Sequence, residues 1–173
     1  MLKKAAAMIG AALLAGSAMP ASGAVLGEYA EACEAGRGPA MLVHITGLKT
    51  RTGMLRVQSY GGAPRSYFEK GAWQRRIEVR VPATGPVDVC VPVAANGTYA
   101  VSVRHDLNGS GKTDMKDGGG MSGNPHLSLW DVMLKRKPEP QEVQVSVRGV
   151  TRVPVTLNYV QGGTFKPVAL AAR

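Results

Sequence analysis

Apolar and polar residues alternate along short runs of this chain, and turn residues separate the runs. The clearest runs are AMLVHITG (40–47), MLRVQSY (54–60), RIEVRVP (76–82), VDVCVPV (87–93), TYAVSVRH (98–105), EVQVSVRG (142–149) and RVPVTLNY (152–159). Successive side chains of a strand point to opposite faces, so a period of two marks a strand with one face buried, whereas a helix repeats every 3.6 residues. Gly61-Gly62, Thr84-Gly85-Pro86, Asn96-Gly97 and Arg148-Gly149 punctuate the runs. They supply the backbone freedom and the fixed φ that turns need. No long helical period or internal repeat interrupts the pattern. About seven short strands in one domain predict an all-β, antiparallel β-sandwich. The core is expected from Val43/Ile45, Leu55/Val57, Ile77/Val79/Val81, Tyr99/Val101/Val103, Val143/Val145/Val147 and Val153/Val155/Leu157.

The strands begin late. Residues 1–24 instead read as a signal peptide: Lys3 and Lys4 are followed by the apolar Met8–Ala18 run and the small residues Ser22-Gly23-Ala24. That run is too short to span a bilayer, and no stop-transfer pattern follows. The expected organisation is a leader over 1–24, an N-terminal segment over 25–39, the sandwich over 40–160 and a loose tail over 161–173. The processed chain would be periplasmic or secreted and not transmembrane. Its roughly 149 residues suit one domain.

Export sets how cysteines and charge are read. Cys33 and Cys90 are the two cysteines, and an oxidising compartment favours a bridge between them. On the chain-entropy model a loop of nearly sixty residues closed this way stabilises by about 4 kcal/mol. A buried free thiol at Cys90, inside the apolar VDVCVPV, is the competing reading. Removing Lys3 and Lys4 lowers the formal charge from +9 to +7. An exported protein meets little nucleic acid. The partners a basic surface would meet are anionic lipid or acidic polysaccharide; the plainer reading is a solvated basic face.

The stretch from His105 to Asp117, HDLNGSGKTDMKD, has the ligand spacing of a twelve-residue calcium loop. Counting from Asp106, oxygen-bearing side chains fall at positions 1, 3, 5, 9 and 12: Asp106, Asn108, Ser110, Asp114 and Asp117. Gly111 sits at the sharp turn, and Lys112 occupies position 7, which contributes only a carbonyl. Calcium would bind with an affinity of about 0.1–1 mM, as in extracellular sites. The alternative is an Asx-rich turn, because Asp, Asn, Gly and Ser are also the ordinary turn residues. Three departures weaken the calcium pattern: Asp117 is shorter than the usual Glu, the loop follows a strand, and Gly118-Gly119-Gly120 favours mobility. His105 alternates with Val101 and Val103, so it reads as an inward-facing residue that caps the strand end. Its other readings are metal ligand or general base.

Tyr99, just after the Asn96-Gly97 turn, resembles a tyrosine corner, whose hydroxyl ties a crossover to the sandwich. Residues 61–75 carry Tyr67, Phe68 and Trp73 in a loop, helical turn or excursion over a sheet edge. Trp130 alternates with Val132 and Leu134 and reads as cover for a core edge; exposed, either tryptophan suits stacking on a sugar ring. No nucleophile elbow, phosphate loop or zincin helix is present.

The early cysteine, the strand–turn alternation, GTYAV and then HDLNGSGKTD resemble the bacterial domain of unknown function 2141 family, over roughly Cys33–Tyr159. Its HDxNxNGKxD-like segment corresponds to His105, Asp106, Asn108, Gly111, Lys112 and Asp114, with Ser110 at the second asparagine. Family members often continue with an FSNN-like stretch; this chain has GGGMSGNPHLS there. The resemblance implies a transthyretin- or immunoglobulin-like sandwich in the cell envelope. The function expected is binding or structural support there, with calcium held by the 106–117 loop. The alternative of another class is an envelope hydrolase centred on His105 and Asp106. The two differ in whether His105 faces the core or a cleft.

Overall fold

The computed structural model describes residues 24–35 and 37–168; the expected leader lies outside them but for Ala24. Two sheets face each other. The smaller contains β1 (Ala40–Thr46) between β4 (Val87–Pro92) and β8 (Val150–Thr156). The larger runs β10–β9–β6–β5–β2–β3, where β2 is Met54–Gly61, β3 Arg75–Arg80, β5 Gly97–Asp106, β6 Gly118–Met121, β9 Asn158–Gln161 and β10 Thr164–Pro167. A three-residue strand, β7 (Val145–Val147), pairs with the start of β5.

The predicted alternation places the core. Val43, Leu55, Val57, Val101, Val153, Val155 and Leu157 are wholly buried between the sheets, with Val87, Val89 and Val91 of β4. Each fully buried side chain of this size contributes about 1.5–3 kcal/mol of transfer free energy. The Tyr99 hydroxyl donates to the Ala95 carbonyl (2.8 Å), which is the predicted corner. Cys33, at the end of a 3₁₀ turn (Ala30–Cys33), is disulfide-bonded to Cys90 across a Cα–Cα distance of 5.7 Å. The bridge pins the N-terminal segment to the outer face of the small sheet.

Four departures from the sequence reading have physical causes. β1 and β8 run parallel, because the chain reaches β8 after passing over the larger sheet. Gly118–Gly120, expected to be mobile, form β6. A Cβ on Gly118 would lie 2.4 Å from the Tyr159 ring, and one on Gly120 would lie 2.6 Å from the Thr156 carbonyl. Glycine is what lets this strand approach so closely. The tail expected to be loose contributes β10, paired with β9. Val143 leaves the main core: it ends a helical turn, α2 (Pro140–Val143), and packs with Tyr60, Tyr67 and Ala100 in a second cluster on the far side of the β2–β5 pair. That cluster is what the 61–75 segment covers.

Candidate functional site

His105 is fully buried near the end of β5. Its Nε2 lies 2.7 Å from the Thr52 carbonyl and its Nδ1 2.6 Å from the Tyr159 hydroxyl. A carbonyl only accepts, so Nε2 carries a proton, and Nδ1 shares a hydrogen bond with the Tyr159 hydroxyl. The Tyr159 oxygen in turn accepts the Lys49 amide (3.2 Å). Burial pushes the Tyr159 hydroxyl up to about 12, and the Asp117 carboxylate adds to the rise while the Lys49 amide opposes it. Both nitrogens of His105 are engaged, and the ring faces the core rather than a cleft. It joins β5, β9 and the loop before β2.

The 106–117 loop hangs from this end of β5. Asp106 and Asp117 are buried at its base; Asn108, Ser110, Lys112 and Asp114 are exposed. Both oxygens of each aspartate accept hydrogen bonds. Asp106 Oδ1 takes the Ser110 amide (3.0 Å), and its Oδ2 takes the Gly111 amide (2.7 Å) and the Arg104 guanidinium (3.1 Å). Asp117 takes the Leu107 and Asp114 amides. Asp114 takes the Lys116 amide and the Asn108 side-chain amide. Ser110 exchanges hydrogen bonds with the Lys112 backbone, and Gly111 makes the bend at φ +75°. This is the bonding of an Asx-rich turn. Among the described residues no three His, Cys, Asp or Glu side chains are grouped to hold a metal ion. For calcium to enter, Asp106 would have to exchange two backbone amides for the ion.

The opposite face of β5 has a different character. A groove of about 450 Å³ lies between the outer surface of β5, β6 and β9 and the segment 124–137. Phe68, Met121, Leu127, Val132 and Phe165 give it apolar walls; Arg104, Lys135, Arg136 and Lys137 bring cations to it. Asp131 is its one acidic lining residue. Hydrogen bonds from Ser128 hold the Asp131 carboxyl below the ordinary aspartate range. Arg104 is anchored by Asp106 and Thr113, yet its Nε is buried without a partner among the described residues.

The wall of this groove is α1 (Leu129–Met133). Ser128 caps it by accepting the Asp131 amide (3.1 Å), and Asp131 accepts the Ser128 amide in return (2.9 Å), a capping box. The reading of Trp130 as cover for a core edge is overturned: α1 is helical, and Trp130 is 68% exposed. Alternation of Trp130, Val132 and Leu134 fits a strand, but the Ser128–Asp131 pair marks a helix start and outweighs it. Trp73 is partly exposed, with the Arg76 guanidinium 4.6 Å from its ring centre. Sequence reasoning also missed His44, whose Nδ1 lies 2.7 Å from Asp88 across the β1–β4 pair. The groove residues carry no local motif, because the fold gathers them from β5, β6, β9, β10 and α1.

Fold and groove together describe a β-sandwich with a cationic, apolar-walled recess on its larger sheet. Residues 43–154 match the model of a family described as an uncharacterized protein conserved in bacteria (DUF2141), and the chain belongs to that family. No curated protein and no solved structure matches it.

Proposed function

We propose that this chain is an exported envelope domain, periplasmic or secreted, that binds an amphipathic anion in the groove beside α1. The single observation that carries this reading is the groove itself: apolar walls flanked by four cationic side chains and one carboxylate. Concave sites of this volume with a few convergent polar groups are the usual small-ligand sites. Cations suit a phosphate or carboxylate head, and the apolar walls suit a chain better than a polysaccharide. The Cys33–Cys90 bridge supports export, since such bonds persist in oxidising compartments. Binding is favoured over hydrolysis because His105, the residue a hydrolase would use, is committed to Tyr159 and Thr52.

The test is calorimetric titration of the processed, oxidised protein with dodecyl phosphate below its micellar concentration, against dodecanol as the uncharged control. Saturable binding of the phosphate is expected. Reversing Lys135 and Arg136 to glutamate should weaken it about tenfold or more, since about 1.4 kcal/mol is tenfold. Equal binding of the alcohol, or binding indifferent to the reversal, contradicts the proposal.

A further inference from the structure

The helix that walls the groove has a second face. Asp131, Val132 and Lys135 line the recess, whereas Trp130, Met133 and Leu134 do not. Those three are 68, 54 and 57% exposed. Their spacing puts the side chains together on one side of a helical turn. A soluble domain rarely gathers large apolar side chains in solvent without a partner for them. The chain then leaves the helix through Lys135 at φ +52°, a left-handed position that glycine usually takes. The Lys135 and Arg136 amides close the turn on the Val132 and Asp131 carbonyls. Lys135, Arg136 and Lys137 therefore stand directly beside the exposed apolar tip. Arg136 lies 3.7 Å from Asp131 and Lys137 pairs with Glu69; Lys135 has no acidic partner among the described residues.

We infer that this tip docks the domain onto an anionic bilayer surface, with Trp130, Met133 and Leu134 entering the headgroup boundary and Lys135–Lys137 lying over the acidic headgroups. Exposed Trp and Leu beside Lys and Arg are the residue types that lie in such an interface, here carried by one helical turn and the residues that leave it. Basic residues there gain from the negative surface potential. Tryptophan suits the boundary, where its ring is half in apolar and half in polar surroundings. A protein partner would satisfy the apolar face equally, but Lys135, without an acidic partner among the described residues, and the exposed Arg136 favour an anionic surface. The formal charge of +7 on the chain without Lys3 and Lys4 has the same sign. The inference goes beyond the ligand of the groove; the two share Lys135, Arg136 and Lys137, so Leu134→Ser, outside the groove lining, is the variant that separates them.

The test is co-sedimentation of the processed, oxidised protein with vesicles of phosphatidylglycerol and phosphatidylethanolamine, against vesicles of phosphatidylcholine. Binding is expected to the anionic vesicles, to fall with added salt and to be slight on the neutral ones. Leu134→Ser should weaken it about ten- to a hundredfold, the equivalent of unburying one leucine. Lys135→Gln should weaken it roughly fivefold. In a Trp73→Phe background, Trp130 fluorescence should shift to the blue on the anionic vesicles. The same Leu134→Ser protein should titrate with dodecyl phosphate as the wild type does, which separates this surface from the groove. The inference is overturned if the wild type stays in the supernatant, if the variants sediment like it, or if Trp130 emission is unmoved. Self-association abolished by Leu134→Ser, without vesicle binding, would also overturn it and assign the tip to a second copy of the chain.

Discussion

The loop Asp106–Asp117 and the segment Leu127–Lys137 lie on the same sheet and use their chemistry in opposite ways. The loop holds the residues that look functional in a sequence, and each has a partner inside the protein: carboxylates bond to amides, and His105 bonds to Tyr159 and Thr52. The segment from Leu127 has no motif, yet it turns tryptophan, methionine and leucine to solvent and cations to a groove. Polar residues satisfied inside a protein are evidence about folding. Groups left without an internal partner are evidence about what the protein meets.

The comparison breaks first if the closed end is not structural. Tyr159→Ala should cost about 3–5 kcal/mol in chemical denaturation, as removal of a large buried ring does, and it leaves His105 Nδ1 without its partner. Asp106→Ala should follow at about 3 kcal/mol, because it unpairs two amides and the half-buried Arg104. Small effects from either would mean that the network does not hold this end together.

An alkaline titration sharpens the same side. The Tyr159 hydroxyl ordinarily titrates near 10 and in the folded protein near 12. The proton is held more tightly when folded, so the stabilisation is complete below pH 10 and is lost as pH rises to 12. Two units correspond to about 2–3 kcal/mol. The wild type should therefore lose about that much more stability across this range than Tyr159→Phe does. Parallel pH profiles would place the tyrosine in water.

How much of this was legible from residues alone follows from how local each signal is. The strands, the Tyr99 corner and the Cys33–Cys90 bridge rest on alternation, a turn and a pair of cysteines, all of which a sequence displays. β6 does not: a glycine triplet has no strand preference, and its pairing is imposed by β5 and by the Tyr159 ring above Gly118. α1 was hidden because five residues fit both periods. The ligand spacing of 106–117 was legible, but spacing does not say whether a carboxylate faces an ion or an amide.

Two smaller effects test the other half. Leu134→Ser should change stability by less than about 0.5 kcal/mol, as exposed substitutions do; a larger loss would mean that the tip packs against the domain. Several millimolar calcium should leave the melting temperature unmoved while the aspartates stay bonded to amides. A rise of several degrees, removed by Asp106→Ala and Asp114→Ala, would return the loop to its calcium reading.

The most direct measurement is amide chemical-shift mapping of the ¹⁵N-labelled protein titrated with dodecyl phosphate. Shifts are expected at Gly119–Met121, Leu127–Lys137, Asn158 and Phe165, with Asp106–Asp117 unmoved apart from residues touching Arg104. Shifts concentrated in Asp106–Asp117, with α1 and β6 silent, would contradict the proposed division between a loop bonded to itself and a groove that binds.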